Sequence, residues 1–573
     1  MKLLLLAALA VHLPMMMMKL PLKTYDTTLH ILFASHYLHH WFNPWNPKWY
    51  AGFSQTTYPP LTHQWIAVVS PIFGLDYGYM VVQLAGILLL VVGIYRYSLI
   101  WVTPRAASIA ALATVFLGAE SFLVYNAGQL ATTCSAPIYL LALPFLYAWV
   151  RHGGWQNFVK TAALLTAAAA AHHATLVFAS LLFAIPVLVQ AWRDRDESDA
   201  LTGAKFAWRT TTIVLTVAVT VTLVLLPFWI WLLRYPITQT PIPHPSRANY
   251  ILSPNWSITY FFVPYGALIL ALPFIFLRGS TNVRLRPLLV GFWLTFLIGL
   301  GGTTPVGYYL LGRAFEVLTY ERFSYWASLM ALPFVGVLVD DAVRRFRMKA
   351  AVPIFALAAA TCAVAAAYTH YVPVMEGGFT VRPIAAWLNR DGHYRYRYIT
   401  LGFGSYQIAR LAMFTKANSV DGSWNSGRQL PELMMYGGAE LTSSRYYGEG
   451  GMDALRAILR HADRYGLKWV FSFDHDYDAL LYFAGWTPAG NLEDNTVTIW
   501  SKNNVPPATP RLSPQIPPVW QGIMWGTLPF GSSILAILVL LIPEKRKREQ
   551  EFQGSDDQWI VPEEALSERR VVL

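Results

Sequence analysis

Long apolar runs alternate with short polar stretches along most of the chain. A helix crosses a bilayer with about 20 mostly apolar residues, and fewer suffice where neighbouring helices shield its end. Runs that meet this test lie at 3–20, 78–102, 106–124, 130–150, 157–172, 173–192, 210–234, 258–278, 287–301, 324–342, 350–371 and 521–542. The pattern predicts an α-helical polytopic membrane protein with about 12 spanning helices. The pair meeting at His172 and His173 reads either as two short helices or as one long broken one. Between 372 and 520 the pattern changes. Tyr396–Gly402, Trp469–Phe473 and Thr496–Ser501 read as strands, and Met452–Tyr465 places Leu455, Ile458 and Leu459 on one helical face. A small α/β domain is expected there, followed by a stiff Pro-rich linker at Val505–Pro518. The expected division is a helical domain over 1–371 with a first outer loop at 21–77, the α/β domain and linker over 372–520, a last helix at 521–543 and a tail at 544–573.

Composition strengthens this reading. Of 573 residues, 55% are hydrophobic and 13% charged, against about 25% charged in ordinary soluble domains. The net charge of +11 does not point to nucleic acid, because the basic residues sit in short loops between apolar runs. They act instead as topology signals. Placing the N-terminus inside puts Arg105, Arg151, Lys160, Arg193, Arg195, Lys205, Arg209, Arg278, Arg284, Arg286, Arg344, Arg345, Arg347 and Lys349 on the cytoplasmic side, together with the Lys-Arg-rich start of the tail. Both termini are therefore expected in the cytoplasm, the protein in the cytoplasmic (inner) membrane, and 372–520 outside. Lys2 and the Ala8-Leu9-Ala10 stretch also resemble a signal peptide, but apolar sequence resumes through Met15–Met18, which favours an uncleaved first helix. Cys134 and Cys362 both lie in apolar runs, so no disulfide framework is expected.

Two segments carry candidate chemistry. If 26–40 is helical, Asp26, His30, Phe33, Tyr37 and His40 fall within about 40° of one line. Asp26 then reads equally as a general base or as a helix cap. The Pro residues that follow end that helix, and Pro59-Pro60 can start another that dips into the membrane interface. His36 and His40 have the spacing of a metal pair without an evident third ligand, so a divalent metal has no clear ligand set. The second segment runs from Gly301 to Trp326 and carries Arg313, Glu316, Glu321 and Arg322. Arginine suits phosphate recognition, and an Arg–Glu network holding helix ends is the alternative. Glu120, His172 and His173 complete the polar groups expected on that side.

Tyr25–Leu61, Gly301–Trp326, Asp421–Asn425 and Leu467–Phe471 resemble bacterial membrane proteins labelled 6-pyruvoyl-tetrahydropterin synthase-related. Such proteins are similar in layout to the GT-C glycosyltransferases. The resemblance implies that Asp26 is a catalytic carboxylate and that a polyprenyl-phosphate-linked sugar is the donor. Arg322 and Arg313 would hold the donor phosphate, and His30 would assist Asp26. Pterin synthesis itself does not fit, because the His-rich stretch is short and bordered by membrane segments. GT-C members often carry an acidic residue adjoining the first, whereas Thr27 follows Asp26. The expected function is transfer of sugar to an unidentified acceptor at the outer membrane face. A transporter or flippase of a lipid-linked or polar substrate, and a non-catalytic envelope scaffold, are the competing expectations.

Overall fold

The computed structural model describes residues 1–195, 201–235, 244–371, 379–436, 440–510 and 515–543. The expected tail lies outside them, as does part of the Pro-rich linker. Each apolar run contains a helix. Among the described residues, eight helices are long and apolar enough to cross a membrane, or nine if Pro254–Tyr265 and Leu268–Thr281, bent by 64°, form one span. Three further apolar helices, Lys2–Met17, Trp155–Ala171 and Arg286–Gly299, have 16, 17 and 14 residues, so the expected count of about 12 includes helices shorter than that length. The ambiguous pair resolves into two helices, since His172 (φ −161°, ψ 102°) ends one and His173 begins the next.

The expected loop 21–77 ends early. Leu61–Ser98 is helical throughout except at Gly74 (φ 76°, ψ 162°), where it kinks. Polar residues masked this stretch in the hydrophobic pattern, yet some of them bond to protein groups. Gln64 Nε2 donates to the Trp525 carbonyl at 3.0 Å, and Asp76 pairs with Arg410 at 2.8 Å. Elsewhere small residues let helices approach closely. A Cβ at Gly336 would lie 2.2 Å from the Ala106 carbonyl oxygen, which packs Pro104–Val115 against Glu321–Phe346.

The loop before Leu61 holds a two-residue ladder, β1 (Trp45–Asn46) with β2 (Phe53–Ser54). The α/β domain is built on β3 (Arg397–Leu401), β4 (Leu467–Ser472), β5 (Thr487–Leu492) and β6 (Val497–Ser501), in the order β3-β4-β6-β5. The β3–β4 pair is parallel and the others antiparallel. The helix Gly448–Arg460 buries Leu455, Ile458 and Leu459 against this sheet. Trp49, Tyr50 and Phe53 enter the same core. Ser419 N–H donates to the Lys48 carbonyl at 2.8 Å and Ala51 N–H to the Ser419 carbonyl at 3.0 Å, so the loop and the sheet domain fold as one body.

The basic connections gather at the other end of the bundle. Arg105 and Arg344 both pair with Asp340 (2.6 and 3.0 Å), and Arg284 pairs with Asp194 (2.8 Å) while donating to the Ile100 carbonyl (2.6 Å).

Candidate functional site

Asp26 stands at the N-cap of the helix Thr27–His40, but its side chain makes no cap hydrogen bond. The backbone does the anchoring. Asp26 N–H donates to the Ala127 carbonyl at 3.2 Å, and Thr27 Oγ1 donates to the Tyr79 hydroxyl at 3.0 Å. Ala127 closes one turn of π-helix, Leu123–Ala127, which ends at Gly128 in the left-handed region (φ 74°). A Cβ on Gly128 would meet Thr24 Oγ1 at 2.3 Å, so only glycine lets this break press against the start of the helix. The Asp26 carboxylate is left without a hydrogen bond or ion pair among the described residues.

The next residue in that break, Gln129, holds the second half of the site. Its amide nitrogen donates to Glu321 Oε1, and its amide oxygen accepts from Arg322 Nε at 2.9 Å. Arg322 makes no other hydrogen bond and no ion pair among the described residues, so its terminal nitrogens remain available. This guanidinium lies within electrostatic reach of Asp26, His30, Tyr58, His172, His173 and His244. Asp26 itself is half-buried. Water reaches part of its surface although protein surrounds it in depth. Burial pushes its carboxyl up to about 7; Arg322 opposes the rise and Glu321 adds to it. An acid–base group poised near neutrality beside an unpaired arginine can exchange a proton while the arginine holds an anion.

The remaining expected residues divide clearly. His30 is buried close by, but its Nδ1 hydrogen-bonds His63 Nε2 at 2.9 Å rather than Asp26, and burial pushes it down to about 3, which keeps it neutral. His172 is buried, bonded through Nδ1 to Thr175 Oγ1 at 2.8 Å, with its ring 6.2 Å from that of Tyr58. His173 packs on Phe228, ring centroids 4.8 Å apart. Glu120 is 1% exposed on the short helix Gly118–Phe122. His40 lies exposed at the far end of its helix. His36, its expected metal partner, instead bonds the Asn43 carbonyl through Nε2 at 2.7 Å and closes the helix end. Arg313 is exposed on the turn Gly312–Glu316, and no ion pair joins it to Glu316 among the described residues. The structure thus gathers Asp26, Glu321, Arg322, His30, His172 and His173 and leaves out His40 and Arg313. Gln129 gives no signal in the sequence, because it is a neutral amide in the short gap between the apolar runs 106–124 and 130–150. Among the described residues, no group of three or more His, Cys, Asp or Glu side chains is arranged to hold a metal ion.

The sheet domain closes the site from above. Trp424 donates through Nε1 to Thr57 Oγ1 at 3.1 Å, and its ring meets those of Tyr58 (4.8 Å) and Phe33 (6.0 Å) edge-on. The Asp421–Asn425 segment therefore packs directly on the loop that follows Asp26.

No protein-family model and no curated protein sequence matches this chain. Solved structures do resemble it. The arabinofuranosyltransferase AftD from Mycobacteria aligns at 14% identity with a TM-score of 0.51, over 87% of this chain and 40% of its own. ArnT from Cupriavidus metallidurans, bound to undecaprenyl phosphate, aligns at 13% identity with a TM-score of 0.52, over 88% of this chain and 98% of its own. The chain thus spans less than half of AftD and nearly all of ArnT. These likenesses show the fold: a polytopic helical membrane protein of GT-C layout with a small sheet domain. The 6-pyruvoyl-tetrahydropterin synthase-related label receives no support from them.

Proposed function

We propose that this protein is a membrane glycosyltransferase that moves a sugar from a polyprenyl-phosphate-linked donor to an acceptor at the outer face of the cytoplasmic membrane. The observation that carries this reading is the unpaired Asp26 carboxylate set beside the unpaired terminal nitrogens of Arg322. The undecaprenyl phosphate bound to the ArnT structure supports the donor class. The gathering of basic connections at the end away from the sheet domain supports an orientation with both termini inside.

In this reading the acceptor hydroxyl loses its proton to Asp26 as its oxygen bonds to the anomeric carbon of the donor. The bond from that carbon to the phosphate oxygen breaks, and polyprenyl phosphate leaves with the electron pair. Arg322 meets the phosphate charge through its free nitrogens. Gln129 holds the Arg322 side chain in place, and His30, neutral and bonded to His63, packs the floor of the site. No step passes through a metal ion.

The test is release of undecaprenyl phosphate from a panel of pentose and hexose undecaprenyl monophosphates by the purified protein in liposomes. Release from at least one donor by the wild type, and its loss in Asp26→Asn, is the expected result. Release from none, or equal release by the variant, contradicts the proposal and leaves the transport and scaffold readings.

A further inference from the structure

A second carboxylate, carried by the sheet domain, stands within electrostatic reach of Asp26. Glu440 is 6% exposed, and it precedes the helical turn Leu441–Tyr447. Ser423 Oγ donates to its Oε1 at 2.8 Å, and among the described residues Oε2 takes no hydrogen bond. Ser423 Oγ also lies 3.3 Å from Ser405 Oγ, and Ser405 is close enough to act on the Tyr25 hydroxyl. Tyr25 adjoins Asp26 in sequence. A continuous polar wall therefore runs from the bundle carboxylate to the sheet-domain carboxylate. Neighbouring Asp421 is different in kind. Its two oxygens accept from Leu441 N–H and Thr442 N–H at 3.0 and 2.9 Å, which fixes the turn that presents Glu440.

The rim of this wall is aromatic. Tyr25 is 41% exposed and Tyr446 61% exposed, and Tyr446 meets Tyr447 edge-on at 5.1 Å. Tyr447 lies within electrostatic reach of both Glu440 and Tyr25. A recessed carboxylate oxygen with a free lone pair accepts hydrogen bonds from hydroxyl groups. Open tyrosine faces cover the apolar faces of sugar rings. The combination suits a neutral polyhydroxylated molecule better than a peptide, which would need exposed backbone partners along its length.

We propose that Glu440, Tyr25 and Tyr447 form the acceptor subsite and that the acceptor is a carbohydrate chain. This rests on the reading of Asp26 as the base, because Glu440 would bind the acceptor in the position where its reacting hydroxyl meets Asp26. Burial pushes Glu440 up to about 7 and the Ser423 hydrogen bond opposes the rise, so it is available near neutrality either as acceptor or as donor of a hydrogen bond.

The experiment is saturation-transfer NMR on the full-length protein in lipid nanodiscs, with arabinotriose, mannotriose and maltotriose as probes. The wild type should bind at least one of them. Glu440→Gln should weaken that binding about tenfold, whereas Asp340→Asn, at the opposite end of the bundle, should leave it within about twofold. Tyr25→Phe, which removes one hydroxyl and leaves Glu440 and Ser423 in place, should weaken it a few-fold and decides the matter if Glu440→Gln disturbs the sheet domain. Failure of all three sugars to bind the wild type, wild-type binding by both Glu440→Gln and Tyr25→Phe, or binding of a random peptide pool instead of sugars overturns the proposal. The two readings separate cleanly. Sugar binding lost in Glu440→Gln while Asp26→Asn still turns over condemns the base and keeps the subsite. Turnover lost in Asp26→Asn with sugar binding untouched in Glu440→Gln does the reverse.

Discussion

The two ends of the helical bundle both carry charged groups, but they treat them differently. At the basic end, the carboxylates are each met by arginine. Asp340 takes Arg105 and Arg344, Asp194 takes Arg284, and Lys160 donates to the Ile542 carbonyl at 3.0 Å. That end even holds a cavity of about 70 Å³, lined in part by Arg278, Asp340, Asp341 and Arg344. Its arginines are committed to carboxylates, so a bound anion would have to compete with them. At the sheet end, Asp26 and Arg322 stand within electrostatic reach and neither is paired. Charge counts along the sequence do not separate these cases. A paired charge stabilises a loop, and a deeply set unpaired charge costs stability unless a substrate meets it.

The comparison breaks most visibly if the Asp26 carboxylate is replaced. Asp26→Asn keeps the size of the side chain, so insertion and folding should be normal. Transfer by the purified protein should fall by about two to four orders of magnitude. Arg322→Ala should raise the donor KM by about tenfold or more, with a smaller loss at saturating donor, as steady-state kinetics would show. At the basic end the sign of the contrast reverses. Asp340→Asn should lower stability by about 1 kcal/mol, because Arg105 and Arg344 are 56% and 61% exposed and water screens them. Turnover per folded molecule should be unchanged. A transfer defect as large as that of Arg322→Ala would erase the distinction between the two ends.

A further contrast concerns pH. The native Asp26 pKa is raised to about 7, while in the unfolded chain it is about 3.9. The native state therefore binds the extra proton between those values, and this contribution to stability is present below about pH 4 and lost as pH rises through about 7. Thermal melting should show Asp26→Asn gaining on the wild type above pH 7 and not below pH 4. Transfer by the wild type should rise with pH through the same upper limb, because the base must be ionised.

Much of the fold was legible because lipid imposes a simple rule on apolar runs. It failed at Leu61–Gly74, where His63, Gln64 and Thr62 are buried in protein instead of facing lipid. Three strands were visible from their alternation, but β5 was not. Its sequence Thr-Pro-Ala-Gly-Asn-Leu has no strand signal, and it lies exposed at the sheet edge, where Pro and Gly are tolerated. In the site, Asp26 and Arg322 stood out as charges near helix ends. Glu440 did not, since it follows a Gly-Gly-Ala stretch without periodicity, and only the turn held by Asp421 carries it to the recess. His40 lay on the right helical face but about four turns beyond Asp26.

The most direct test is a cryo-EM structure of the protein in nanodiscs with undecaprenyl phosphate. The account predicts the phosphate within hydrogen-bond distance of the terminal nitrogens of Arg322, with Asp26 facing the open side of the recess. A phosphate bound instead in the cavity beside Arg278 and Arg344, with Arg322 unliganded, would contradict it.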